Sequence, residues 1–99
     1  MLKQYPAIFH KEDGAYYSEF PDLDGCQTYA DTLEDLFVNS SEALGLYLAT
    51  LLEDNKSLPL ATDLSEIRTD DGFTMLVDVE VDKYRRNTKG ADVRYQKKV

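Results

Sequence analysis

Two periodicities divide this chain. In "QYPAIFHKEDGAYYSEF", Tyr5, Ala7 and Phe9 alternate with Pro6, Ile8 and His10. Both sets carry apolar residues, which predicts a strand covered on both sides. Asp13-Gly14 then reads as the turn of a hairpin, because a type I′ turn needs the positive φ that Gly tolerates. On the second strand Tyr16, Ser18 and Phe20 oppose Tyr17 and Glu19. Pro6 has no N–H to give a ladder, which places it near a strand start or on a sheet edge. "PDLDG" makes a tight connection: Pro21 pre-sets φ, Asp22 and Asp24 can bond nearby backbone N–H groups, and Gly25 is permissive. "CQTYA" follows as a short third strand.

From Thr32 the period changes to that of a helix. Thr32 is placed as an N-cap, with Glu34 and Asp35 near the positive end of the dipole. Leu33, Phe37, Ser40, Leu44, Tyr47, Leu48 and Leu51 form one stripe, which Leu36, Leu46 and Leu52 widen. The helix is expected to stop near Asp54-Asn55, roughly 33 Å from its start at ~1.5 Å per residue. A linker containing Pro59 follows, with Leu58, Leu60 and Leu64 tucked against the domain. "FTMLVDVEVD" is then a strand, with Phe73, Met75, Val77, Val79 and Val81 on one face and Thr74, Leu76, Asp78, Glu80 and Asp82 on the other. The expected fold is α+β: a three-stranded antiparallel meander, one long helix and a further strand, in the order β-β-β-α-β. Residues 1–82 form its domain, and residues 83–99 form a basic linker or the start of a second one.

Charge sharpens that division. The net charge is −8, yet residues 83–99 hold seven of the eleven Lys and Arg and one of the nineteen acids. That leaves four cations against eighteen acids over residues 1–82, a net −14, beside +6 in the tail. Such a body suits a basic partner and argues against general nucleic-acid affinity. A hydrophobic fraction of 42% is too high for a wholly disordered chain. One cysteine makes no internal disulfide, which fits a reducing, cytoplasmic setting. No apolar run nears the ~20 residues of a membrane span, and the charge-broken start does not read as a signal peptide.

Little in the sequence points to chemistry. His10 and Cys26 are the single His and Cys, short of the three or four ligands usual for zinc. They make a nucleophilic dyad only if the fold unites them; the plainer reading is a buried, inert thiol and a solvated histidine. Asp22, Asp24 and Asp31 are residues that a turn and a helix start use anyway. Asp78, Glu80 and Asp82 form a row that reads as a solvated face or as a complement to cations. Phosphate-cradling Gly loops and nucleophile elbows are absent. The expectation is a non-enzyme with no metal and no cofactor.

Taken in order, Tyr5-Pro6-Ala7, Asp13-Gly14, Phe20 to Cys26, Asp31 to Asp35, Ala43-Leu44 and Tyr47-Leu48 resemble the N-terminal domain of HicB-type antitoxins, over about two-thirds of the chain. Asp24 departs from a frequent Pro. The resemblance implies a partial ribonuclease H-like fold without the first-strand acid that nuclease activity needs, since that strand offers Tyr5, Ala7 and Phe9. It also implies a partner: a HicA-like toxin, a small basic mRNA interferase whose catalytic histidine and RNA-binding surface the domain covers. Toxin contacts are expected from Glu12, Asp13, Tyr16, Tyr17, Phe20, Pro21, Asp22, Leu23, Asp24, Gly25 and Cys26, with core burial of Tyr16 or Phe20 an open alternative. Family members usually add a DNA-binding domain that represses their own operon. Here "VRYQKKV" looks like the first strand of a ribbon-helix-helix without its helices, so operator contacts by Arg94, Lys97 and Lys98 need a domain absent from this chain. An orphan regulator built on that domain is the other function left open. An exposed strand edge, with "TMLVDVEV" one candidate, invites a homo-oligomer, dimer or tetramer.

Overall fold

The computed structural model describes residues 1–85. Arg94, Lys97 and Lys98, and the strand start expected around them, lie outside the described residues. Along the chain come β1 (Leu2–Glu12), β2 (Ala15–Glu19), β3 (Gln27–Ala30), α1 (Leu33–Glu53) and β4 (Phe73–Glu80), with 3₁₀ turns at Leu64–Glu66 and Val81–Lys83. The sheet runs β3-β2-β1-β4 and every neighbouring pair is antiparallel. This is the α+β arrangement expected, with the helix on one face of a single sheet.

Local chemistry fixes each join. Glu12 pairs with Ala15 across a two-residue turn in which Asp13 has φ +53° and Gly14 φ +81°, the two positive values of a type I′ hairpin. Thr32 caps α1, its hydroxyl oxygen accepting from the Asp35 N–H at 3.1 Å. At the other end Asn55 adopts φ +62°. The Lys56 N–H then reaches the Leu51 carbonyl at 2.8 Å and the Asn55 N–H reaches Leu52 at 3.0 Å, a Schellman closure with Asn in the left-handed position.

Three expectations need correction. Leu60 does not tuck against the domain but is 92% exposed. Pro6 lies within β1, which is an inner strand. Its side toward β2 is nevertheless open in the ladder, because that pairing starts only at Ile8–Glu19; the missing N–H falls beyond the end of β2. The helix stripe is also rotated from the one expected. Leu36, Ser40, Leu44, Gly45, Leu48 and Ala49 are buried, whereas Leu33, Phe37 and Leu46 are exposed. A four-residue spacing from Leu36 to Leu48 faces the sheet, and Leu33 and Phe37 lie to one side of it, over β4.

The core joins that stripe to Tyr5, Ala7 and Phe9 of β1 and to Val77, Val79 and, just past β4, Val81. Between β2 and the helix it contains one polar pair, the buried hydroxyls of Ser18 and Ser40 at 2.7 Å. Residues 56–72 carry the chain back along the sheet, so that β4 descends antiparallel to β1. That return is pinned twice: the Tyr5 O–H donates to the Pro59 carbonyl at 2.5 Å, and Asp22 accepts from the Thr62 N–H (2.8 Å) and hydroxyl (2.6 Å).

Candidate functional site

The corner from Phe20 to Cys26 is two turns placed end to end. The Leu23 N–H donates to the Phe20 carbonyl and the Cys26 N–H to the Leu23 carbonyl, both at 3.0 Å, and the Phe20 N–H closes the loop on Cys26 at 3.1 Å. Phe20, Leu23 and Cys26 point inward and are buried, which leaves Pro21, Asp24 and Gly25 on the outside. Of the seven corner residues expected to contact the toxin, three thus turn their side chains into the core, among them Phe20, for which core burial is the alternative left open. Asp22 also turns inward in function, because both of its oxygens hold Thr62. The Asp24 carbonyl takes the Tyr47 hydroxyl at 2.8 Å, tying the corner to α1.

Tyr16 and Tyr17, neighbours in sequence, serve opposite faces. Tyr16 packs against the core beneath the helix. Tyr17 lies on the open face, where the register places His10, Tyr17 and Tyr29 side by side on three strands. The His10 and Tyr17 rings stack at 4.4 Å, and Tyr17 meets Tyr29 at 5.8 Å. Tyr29 is 64% exposed. His10 is not the solvated residue expected: its side chain is 12% exposed, with Nε2 2.8 Å from Glu19 and Nδ1 3.4 Å from Asp71. Gly72 brings Asp71 there, since a Cβ at that position would strike the Phe9 carbonyl. Burial first, then the carboxylates of Glu12, Glu19 and Asp71, hold the Tyr17 phenol above its ordinary value. Tyr17 is sandwiched between His10 and Tyr29, so the free ring face is that of Tyr29. With acids nearby it suits a guanidinium or ammonium group, which is drawn to both.

A second feature follows the seam between α1 and β4. Phe9, Leu33, Phe37, Phe73 and Met75 line an apolar groove of about 480 Å³, with Glu34 at its rim. Below it, on the open face of the sheet, the acidic row expected on β4 is present. Glu80 and Asp82 bind the chain's amino terminus, a contact that lowers the Asp82 carboxyl below its ordinary value.

Nucleophilic chemistry finds no assembled group. Cys26 sits in the core with Sγ 3.8 Å from the Ala43 carbonyl, and burial pushes its thiol from 9.0 up to about 11. His10 lies on the other face of the sheet, so the dyad does not form. Among the described residues no three His, Cys, Asp or Glu side chains gather as metal ligands, and no helix is long and apolar enough to cross a membrane. Sequence reasoning missed Tyr29, Glu19 and Asp71: cross-strand register brings Tyr29 beside Tyr17 and His10 beside Glu19, and the close approach of Gly72 brings in Asp71.

A family model described as "HicB_like antitoxin of bacterial toxin-antitoxin system" matches residues 5–99. An uncharacterized 14.9 kDa protein of Haemophilus phage HP1 is 31% identical over 62 residues, which are 63% of this chain and 47% of that protein; the match thus spans about half of that relative. Among solved structures, a toxin–antitoxin complex from Streptococcus pneumoniae contains a chain with TM-score 0.80 and 25% identity, covering 91% of this chain and 76% of that one. A chain of a HicA3 and HicB3 toxin–antitoxin complex superposes with TM-score 0.66 and 25% identity, over 79% of this chain and 99% of that one.

Proposed function

We propose, from the premise that this chain belongs to the family of HicB-like antitoxins of bacterial toxin–antitoxin systems, that it neutralises a small basic HicA-like mRNA interferase by covering its active site and RNA-binding surface. It makes and breaks no bonds. It acts in the cytoplasm, where such a toxin meets mRNA. Support comes from the similarity to chains solved in toxin–antitoxin complexes and from the charge of residues 1–82.

The observation that carries the reading is the open sheet face. An RNA-binding surface offers Arg and Lys spaced to meet phosphates and stacked bases. Tyr29, backed by Tyr17, offers a stacking face, and Glu12, Glu19 and Asp71 offer anionic charge around the cluster. Opposed potentials speed encounter and fix orientation. Asp13 at the hairpin tip and Pro21, Asp24 and Gly25 at the corner extend the contact. A homo-oligomer, dimer or tetramer, belongs to the same proposal and is read by light scattering.

The test is calorimetric titration of the whole chain with its cognate toxin, together with an RNA-cleavage assay. Binding should weaken as salt rises, cleavage should stop at stoichiometric antitoxin, and Tyr29→Ala should weaken binding roughly tenfold, the scale of a desolvated cation–π contact. No binding at low salt refutes the proposal.

A further inference from the structure

The sheet has two outer strands, and they are finished differently. β3 is four residues long, and its Tyr29 carbonyl accepts from the Asn39 side-chain amide at 3.1 Å. β4 is eight residues long and contains neither Pro nor Lys, the usual guards of an edge. Its hydrogen-bonding parity can be fixed. The Val81 N–H donates to the Met1 carbonyl at 2.9 Å, so odd-numbered residues turn their backbone groups toward β1. Thr74, Leu76, Asp78 and Glu80 then turn theirs outward. The Asp78 carbonyl confirms this, since it accepts from the Ser41 hydroxyl at 2.7 Å. No strand lies beyond Thr74 and Leu76 among the described residues.

Beside that open stretch is the seam groove. Of its lining, Leu33 is 40% exposed, Phe37 41% and Phe73 46%. Apolar area left on a domain's surface next to an unpaired strand edge is a docking feature. A strand laid on β4 sends alternate side chains to the two faces of the sheet. On the helix side they enter the groove; on the other they meet Thr74, Leu76 and Asp78.

We propose that the β4 edge at Thr74 and Leu76 receives an extended segment of the basic ribonuclease partner as a fifth strand, with an apolar side chain in the groove and a basic side chain beside Asp78. This rests on the antitoxin reading and adds where and how the partner is held. A second copy, the occupant expected for this edge from sequence, fits less well. It brings an identical Asp78 and a like net charge, whereas a basic strand meets opposite charge.

The experiment uses the full chain, labelled for amide NMR, and three nine-residue blocked peptides that alternate Val with Lys, Ser with Lys, and Val with Glu. The Val/Lys peptide should shift the Thr74 and Leu76 amides and bind at least tenfold tighter than the other two, because one lacks the apolar side chain and the other the charge. Leu76→Pro deletes an outward donor and leaves the β1 ladder intact; Phe37→Gln blunts the groove at an exposed site. Each variant, once shown folded by circular dichroism, should weaken the Val/Lys peptide at least tenfold and should weaken the cognate toxin. Shifts confined to residues away from β4, or binding of the Val/Lys peptide by both variants as tight as by the unmodified chain, overturn the inference. So does a concentration-dependent dimer of the free chain that Leu76→Pro dissolves, because a second copy then owns the edge. Toxin binding that both variants leave untouched removes this inference and leaves the antitoxin reading standing. Failure of the unmodified chain to bind toxin removes both.

Discussion

The hydroxyls of Ser18 and Ser40 are the polar pair of the core, and their hydrogen bonds have a direction. Ser40 Oγ lies 2.6 Å from the Leu36 carbonyl, which can only accept, so Ser40 donates there. Its single proton is then used, and Ser18, 2.7 Å away, must donate to Ser40. Ser18→Ala removes a donor that no other group depends on, and costs about 1 kcal/mol, the net worth of one buried hydrogen bond. Ser40→Ala strands the Ser18 proton at a fully buried site. That penalty is about 1–3 kcal/mol, offset by about 0.5 kcal/mol because alanine is the better helix former. In the Ser40→Ala background, Ser18→Ala then removes the stranded group and becomes neutral or stabilising. Urea unfolding of wild type, both single variants and the double variant at constant m-value measures the cycle. The expected order is Ser40→Ala less stable than Ser18→Ala, with the double variant no worse than Ser40→Ala alone. Additive losses, or a larger loss from Ser18→Ala, refute the assigned direction of donation.

Two further outcomes follow from buried groups. With the Cys26 thiol raised from 9.0 to about 11, its thiolate fraction at pH 8 falls about a hundredfold, so iodoacetamide should alkylate the native chain at least that much more slowly than the unfolded one. The unfolded thiol loses its proton first, so stability should fall as pH rises from about 9 toward 11, and Cys26→Ala should lose that part of the pH dependence in denaturation curves. Gly45→Ala gains about 1 kcal/mol of helix propensity. Its methyl, however, would lie 2.6 Å from Tyr84 Cε2, closer still to Tyr84 Cδ2, and 2.9 Å from Val79 Cγ2, an overpacking worth about 1–3 kcal/mol. A lower urea midpoint is expected, partly restored by Tyr84→Ala, and a midpoint above wild type contradicts the packing argument.

What could be read from the sequence was whatever local chemistry decides. Asp13-Gly14 dictates its turn, Thr32 its cap and Asp54-Asn55 its stop, and alternation sorts the faces of β4, so the order β-β-β-α-β followed. Pairing decides the rest. Pro6 sits in an inner strand because β2 is shorter than β1. The stripe of α1 turned because the leucine spacing on two neighbouring faces of the helix is equally regular, and only the sheet chooses between them. Composition made the Phe20 to Cys26 corner look like a surface feature; two interlocked turns instead point Phe20, Leu23 and Cys26 into the core. Tyr29, Glu19 and Asp71 carried no signal of their own, since each meets Tyr17 or His10 only through register or through the close approach of Gly72.

The two candidate surfaces differ in physics, which allows their shares in partner binding to be separated. On the open face the attraction is largely between exposed charges, and raising ionic strength screens it over a Debye length of about 8 Å at 0.15 M. Along the α1–β4 seam, strand hydrogen bonds and apolar burial dominate, and neither is screened. A partner held by the open face alone should therefore lose affinity steeply with salt and be rescued by no apolar contact. One held at the seam as well should reach a plateau in high salt, and that plateau should fall with Phe37→Gln but not with Tyr29→Ala. At low salt the ranking reverses in rate: acids around Tyr17 should govern association, whereas groove variants should act on dissociation. Measuring both rates across salt thus assigns each residue to steering or to holding. A non-catalytic inhibitor needs both, since a cationic cleft is found by charge and kept closed by contacts that salt does not dissolve.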